Sequence, residues 1–182
     1  MALAYYLPLV SFINFGKFLG SMKIAIFSDL HDNDAYLDIF ITYCRQHKIE
    51  KILCCGDITS KETLQLLNKI ELPLYLIRGN AEMFEDSIFS SLKNITYLGR
   101  TGEIILENKK IGLCHEPTFI NKMLEKKLDY IFYGHTHKPW IEKKANTHLI
   151  NPGTLGGVFT PSTFAVWEMS KPLPELIRSD LI

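Results

Sequence analysis

Seven polar side chains stand out in this chain by type and spacing: Asp29, His31, Asp57, Asn80, His115, His135 and His137. They supply two carboxylates, one amide and four imidazoles, all oxygen or nitrogen donors of the kind that hold divalent metal ions. Asp29-x-His31 and His135-x-His137 each offer two donors two residues apart, and Asp57 follows Gly56, which lets the backbone turn closely. Any one of these groups alone reads as a turn or loop polar residue. Taken together they suit two metal ions, because ions held about 3.5 to 4 Å apart require a bridging carboxylate. Asp57 is the natural bridge if its strand lies beside the strand that precedes Asp29.

The elements needed to position these groups are legible in the hydrophobic pattern. Ile24–Phe27 is a short β-branched and aromatic run that predicts a buried strand ending at Ser28-Asp29. A helix is expected from Asp34 to about His47, with Leu37, Phe40, Ile41 and Cys44 at helical spacing. Lys51–Cys55 predicts the next strand, Thr63–Ile70 a short helix, and Pro73–Ile77 a third strand ending before Asn80. Functional groups in open α/β sheets gather past the carboxyl ends of strands, which is where each candidate falls.

The second half reads as β-rich. Ile95–Leu98 and Glu103–Glu107 flank a Gly-Arg-Thr-Gly turn, and Lys110–Cys114 follows Asn108-Lys109, so these segments are expected to pair antiparallel. His115 closes the last of them. A helix is expected from about Pro117 to Lys127, then a strand over Asp129–Tyr133 capped by His135 and His137, then short strands near 140–142, 149–150 and 164–169. Asn151-Pro152-Gly153 reads as a turn. His47, at a helix end, and His148, ahead of a strand segment, read as structural.

The 182 residues suit one domain. With 47% hydrophobic and 22% charged residues the chain reads as globular, and its net charge of zero gives no general attraction to nucleic acid. Cys44, Cys54, Cys55 and Cys114 lack C-x-x-C spacing and read as reduced core residues, which points to a cytoplasmic protein. Residues 1–21 are mostly apolar but lack the basic start and cleavage site of a signal peptide, and Pro8, Asn14, Gly16 and Lys17 interrupt a spanning helix. They are therefore read as an extension outside a domain of residues 22–182, with Met22 as the natural start and no membrane partner expected.

Ser28-Asp-Leu-His31, Gly56-Asp57, Gly79-Asn80, His115 and Gly134-His-Thr-His137 together resemble the calcineurin-like metallophosphoesterases, in that family's order, above all their small single-domain phosphodiesterase branch. The resemblance implies a four-layer α/β/β/α sandwich of two mixed β-sheets flanked by helices. It further implies that Asp29, His31 and His137 bind one metal and Asn80, His115 and His135 the other, with Asp57 bridging. Asn80 and His135 would also face the phosphate as catalytic groups. The implied cofactors are two divalent ions, with manganese favoured and iron, zinc, nickel or cobalt compatible. The implied partner is a small phosphate ester hydrolysed by metal-activated water, a diester before a monoester; a homo-oligomer is compatible with the chain. The runner-up is a protein-binding scaffold on the same fold.

Three positions depart from that family's pattern. Asp32 and Glu116 stand where glycine commonly follows the first and the later histidine, and are expected to add carboxylates beside the site. Ala81 stands where phosphatase relatives carry a histidine in Gly-Asn-His-Glu, so this position has no side chain able to protonate a leaving group.

Overall fold

The computed structural model describes residues 21–182. The expected extension over residues 1–21 thus lies, except for Ser21, outside the described residues. Ser21 Oγ accepts the Ser170 N–H.

Strand β1 (Lys23–Phe27) alternates its side chains between two cores, and that alternation organises the layers. Ala25 and Phe27 point toward helices α1 (Asp34–Gln46) and α2 (Lys61–Asn68), where Leu37, Phe40, Cys44, Leu64 and Leu67 pack against them. Ile24 and Ile26 point the other way, with Trp167 of the same sheet, into a core shared with the second sheet through Ile111, Leu113, Phe132 and Ile150. A third cluster on the far side of that sheet includes Ile120, Met123, Ile131 and Leu149. The result is the expected α/β/β/α order of layers.

The first sheet also contains β2 (Lys51–Cys54), β3 (Leu74–Leu76), β4 (Ile95–Tyr97), β10 (Thr163–Glu168) and β11 (Glu175–Arg178), in the order β11-β10-β1-β2-β3-β4. Strands β1 to β4 run parallel, and β10 joins β1 antiparallel. The second sheet, in the order β5-β6-β7-β9-β8, holds β5 (Thr101–Leu106), β6 (Lys109–Cys114), β7 (Tyr130–Phe132), β8 (Trp140–Lys144) and β9 (Thr147–Asn151). Helix α1 starts at Asn33, whose side chain accepts the Tyr36 N–H, and α2 at Ser60, whose hydroxyl accepts from Thr63 N–H.

Two expectations fail in the middle of the chain. The 95–98 segment does not pair with the 103–107 segment: β4 extends the first sheet, Leu74 facing Ile95 in parallel register, and Gly99-Arg100 carries the chain to the other sheet. Ile95 is buried in the helix-side core, which fixes β4 there. The antiparallel reading holds one strand later, between β5 and β6, through a two-residue turn in which Glu107 and Asn108 both have positive φ, at 43° and 64°. The helix expected over 117–127 is a 3₁₀ turn, Pro117–Phe119, followed by the short α3, Ile120–Leu124. The four cysteines are buried and free, as expected. Among the described residues no helix is long and apolar enough to cross a membrane.

Candidate metal centre

The parallel pairing of β1 with β2 brings the turns after them side by side. The Asp29 N–H donates to Gly56 O, and the Leu30 and His31 N–H groups both donate to Asp57 O, each at 3.1 Å. The carboxylates of Asp29 and Asp57 thereby share one corner at the carboxyl end of the sheet, and both are buried. From the second sheet, β6 delivers His115, also buried, and the turn after β7 delivers His135 and His137. The Gly134 N–H donates to His115 O, tying these two segments together.

Six residues here hold left-handed backbone: Asp29 at φ 53°, His31 at 48°, Asp32 at 57°, Asp57 at 59°, His135 at 68° and His137 at 59°. Left-handed backbone costs a residue with a Cβ roughly 1 to 2 kcal/mol, less for aspartate. Such strain persists where surrounding contacts over-determine it, and it concentrates at functional sites. The glycines between these residues are as constrained: a Cβ on Gly79 would lie 2.1 Å from Asp57 Oδ1, and one on Gly134 would lie 1.9 Å from Ser28 Oγ.

The donor atoms converge. Asp29 Oδ1 lies 3.2 Å from His137 Nε2 and 3.9 Å from both His31 Nε2 and His115 Nε2. Asp57 Oδ2 lies 3.2 Å from His115 Nε2 and 3.7 Å from His31 Nε2. The Nε2 atoms of His31 and His137 are 3.3 Å apart. Two groups able to hold a metal ion result, Asp29 with His31 and His137, and Asp29 with Asp57 and His115. Asp57 Oδ1 is already occupied by the N–H groups of Asn80 and Ala81, which leaves Oδ2 as a single free oxygen between two imidazoles. Asp29 alone belongs to both groups, a shared position that sequence reasoning assigned to Asp57 instead.

The imidazole protons are fixed by their outer contacts. His115 Nδ1 lies 2.7 Å from Cys55 O and His137 Nδ1 lies 3.0 Å from Val158 O. A carbonyl accepts only, so both Nδ1 atoms carry hydrogen and donate, which turns the Nε2 lone pairs toward the carboxylates. His115 Nε2 is buried with no hydrogen-bond partner. A lone pair facing two buried carboxylates is repulsive unless a cation sits between them. Either a proton or a metal ion meets that need, so the donor set fits the implied divalent ions.

The electrostatics agree. Burial pushes the Asp29 carboxyl above its ordinary value against the pull of His115 and His137. Burial acts in the same sense on Asp57, but the close approach and charge of His115 outweigh it and hold that carboxyl low. Burial would lower His115, yet its contact with Asp57 and the charge of Asp29 raise it to about 9. Among the described residues no lysine or arginine pairs with Asp29 or Asp57, so these buried carboxylates face imidazoles alone.

Asn80 and His135 occupy the exposed rim. His135 Nδ1 lies 2.9 Å from Asn80 Oδ1, the His135 and His115 rings are 5.3 Å apart, and the His135 N–H donates to Asp29. All seven candidates are therefore linked, five through a converging donor cluster and two through this rim pair. His47 stacks on Tyr43 and His148 on Tyr130, away from the cluster. Asp32 and Glu116 are engaged elsewhere: Asp32 Oδ1 accepts the Ser60 N–H, and Glu116 Oε1 lies 3.7 Å from Arg100.

Three supporting residues escaped sequence reasoning. Glu82 Oε1 accepts from Asp57 N–H at 2.8 Å and Gly79 N–H at 2.9 Å, clamping the two glycine turns together. The buried Asn151, expected only as part of a turn, donates to Gly134 O and Thr136 Oγ1 and accepts from Gly153 N–H. Thr154 Oγ1 donates to Asp29 O. The one signal in the sequence is Glu82 in Gly79-Asn-Ala-Glu82, the segment that also holds Ala81.

The calcineurin-like phosphoesterase superfamily domain model matches residues 22–171. A probable metallophosphoesterase of Methanocaldococcus jannaschii is 27% identical over 147 residues, covering 74% of this chain and 69% of its own. An archaeal phosphodiesterase of known structure superposes with a TM-score of 0.76 at 22% identity, over 86% of this chain and 99% of its own. Wild-type Vps29 of Entamoeba histolytica, complexed with zinc, gives 0.63 at 20% identity, over 87% of this chain and 99% of its own. At these identities the two structural likenesses are likenesses of fold.

Proposed function

The chain belongs to the calcineurin-like phosphoesterase superfamily, and from that premise we propose that it is a dinuclear-metal phosphodiesterase acting on small phosphodiesters. The observation that carries this reading is the buried Asp29–Asp57–His115 trio, whose unpartnered Nε2 faces carboxylates that no lysine or arginine compensates among the described residues. Asp29, His31 and His137 would hold one ion, His115, His135 and Asn80 the other, and Asp57 Oδ2 would span them. Such ions supply Lewis-acid polarisation of the phosphoryl oxygens and a water of lowered pKa.

The chain's own residues then have separate tasks. Cys55 O and Val158 O fix the tautomers and ring planes of His115 and His137. The N–H groups of Asn80 and Ala81 orient Asp57, and the exposed Asn80 and His135 side chains meet a phosphate arriving from solvent. Ala81 contributes only its backbone, so activated leaving groups that depart without a proton are favoured. A diester is preferred because, among the described residues, no lysine or arginine pairs with Asp29 or Asp57 to favour the second charge of a monoester dianion. Residues 22–182 form the catalytic domain in this reading, and residues 1–21 stand outside it.

The test is a paired assay of aryl phosphodiesters and aryl phosphomonoesters with metal-stripped and manganese-reloaded protein. The reading expects metal-dependent hydrolysis with kcat/KM higher for the diester. Higher kcat/KM for the monoester would make the chain a phosphomonoesterase, and full metal occupancy with no ester hydrolysed would favour a scaffold.

A further inference from the structure

Phe159 is 93% exposed, and its ring centroid lies 5.6 Å from that of His137. Isolated exposed apolar side chains are ordinary on protein surfaces. This one differs in two respects. Its backbone is left-handed, at φ 66°, which for a bulky aromatic residue is a genuine outlier, although Gly156 and Gly157, three and two residues before it, show that the loop uses glycine. It is also held from both sides by one residue of the candidate metal centre. Val158 O accepts the His137 Nδ1–H at 3.0 Å, and Thr160 Oγ1 donates to His137 O at 2.7 Å. The loop that sets the His137 tautomer therefore also presents the Phe159 ring, whose aromatic contact among the described residues is with His137.

We propose that Phe159 is a stacking platform for a flat aromatic group carried on one arm of the phosphodiester, a simple aryl group or a nucleobase. The inference rests on the phosphodiesterase reading above. The ring stands beside His137, so a phosphate held at the metal centre brings its ester arm over this edge of the site. The high exposure leaves ring surface free to receive it. Stacking on an aromatic side chain is tolerant of the partner's identity, because every aryl or base ring has a π-face. The platform therefore selects for flatness rather than for one hydrogen-bonding pattern.

The experiment measures binding, so that it does not depend on turnover. Affinities of methylphosphonate, phenylphosphonate and adenosine 5′-phosphorothioate are determined by calorimetry on the manganese-loaded full chain, for wild type, Phe159→Leu and Phe159→Gly. Glycine relieves the left-handed backbone and leucine keeps apolar bulk without a flat face, so neither variant depends on refolding a strained aromatic position. In wild type one or both aromatic ligands bind about 10-fold or more tighter than methylphosphonate, a ratio within the range of single-ring stacking. Both variants bring the ratio close to one. A larger preference for phenylphosphonate assigns the aryl group, and a larger one for the adenosine ligand assigns the nucleobase. A wild-type ratio near one, or a ratio that either variant retains, overturns the platform while leaving the phosphodiesterase reading intact. Failure of both aromatic ligands to bind metal-loaded protein also overturns the platform, and leaves the phosphodiesterase reading to the paired ester assay.

Discussion

Replacing Glu82 with alanine removes a single carboxylate oxygen that accepts two backbone N–H groups, from Asp57 at 2.8 Å and from Gly79 at 2.9 Å. Hydrogen bonds to a charged acceptor contribute roughly 1.5 to 3 kcal/mol each. Glu82 is half-buried, so water recovers part of that loss, and the expected net cost is about 2 to 4 kcal/mol. In a domain of this size each kcal/mol moves Tm by about 2 to 4 °C, so metal-free Glu82→Ala should unfold roughly 5 to 15 °C below wild type. Glu82→Gln keeps an acceptor oxygen and should recover at least half of the difference. Metal affinity should fall with stability, because the same bonds hold the turn that carries Asp57 and the turn that carries Asn80. Thermal unfolding by circular dichroism and manganese titration by calorimetry measure the two effects. A Glu82→Ala protein that unfolds within about 2 °C of wild type and binds metal normally would refute the clamp.

Gly79→Ala would drive a Cβ to 2.1 Å from Asp57 Oδ1 and should displace that carboxylate; elemental analysis should find fewer than two ions per chain, and full occupancy would count against the geometry. His115 gives the pH dependence. Its folded pKa of about 9 exceeds its ordinary 6.5, so its contribution to metal-free stability is complete below pH 6.5 and is lost as pH rises through 9. Metal binding needs the same nitrogen unprotonated, so manganese affinity should rise by about tenfold per pH unit across that window if one proton is released. Melting curves and calorimetry in buffers of different ionisation enthalpy check both slopes, and pH-independent affinity would remove His115 from the ligand set.

The βα half was legible because its signals are local: Ile24–Phe27 and Lys51–Cys54 are short β-branched and apolar runs, and Leu37, Phe40 and Cys44 recur at helical spacing before a C-terminal His47. The candidate site residues stand out in the sequence because each follows a strand, and the strand ends converge once β1 pairs with β2. The partner of β4 was not, since Ile95–Tyr97 looks alike beside β3 or beside β5, and the choice is made by burial of Ile95 against the helix-side core. Helix α3 came out shorter than its pattern because only Ile120 and Met123 are buried within it. Glu82, Asn151 and Thr154 support the site through hydrogen bonds to residues as far as 125 positions away, and no spacing rule reports such contacts. Nor does local sequence pattern reveal that the chain around Phe159 returns to His137.

The central claim is that two metal ions held by the Asp29–Asp57 corner perform the hydrolysis. Metal-stripped protein titrated with manganese, with bound metal and aryl diester hydrolysis followed in the same samples, tests it most directly. The account predicts that hydrolysis grows as the second equivalent binds and saturates at two ions per chain, with Asp57→Ala failing to reach either. Saturation of hydrolysis at one ion, or two bound ions in a protein that hydrolyses no ester, would contradict it.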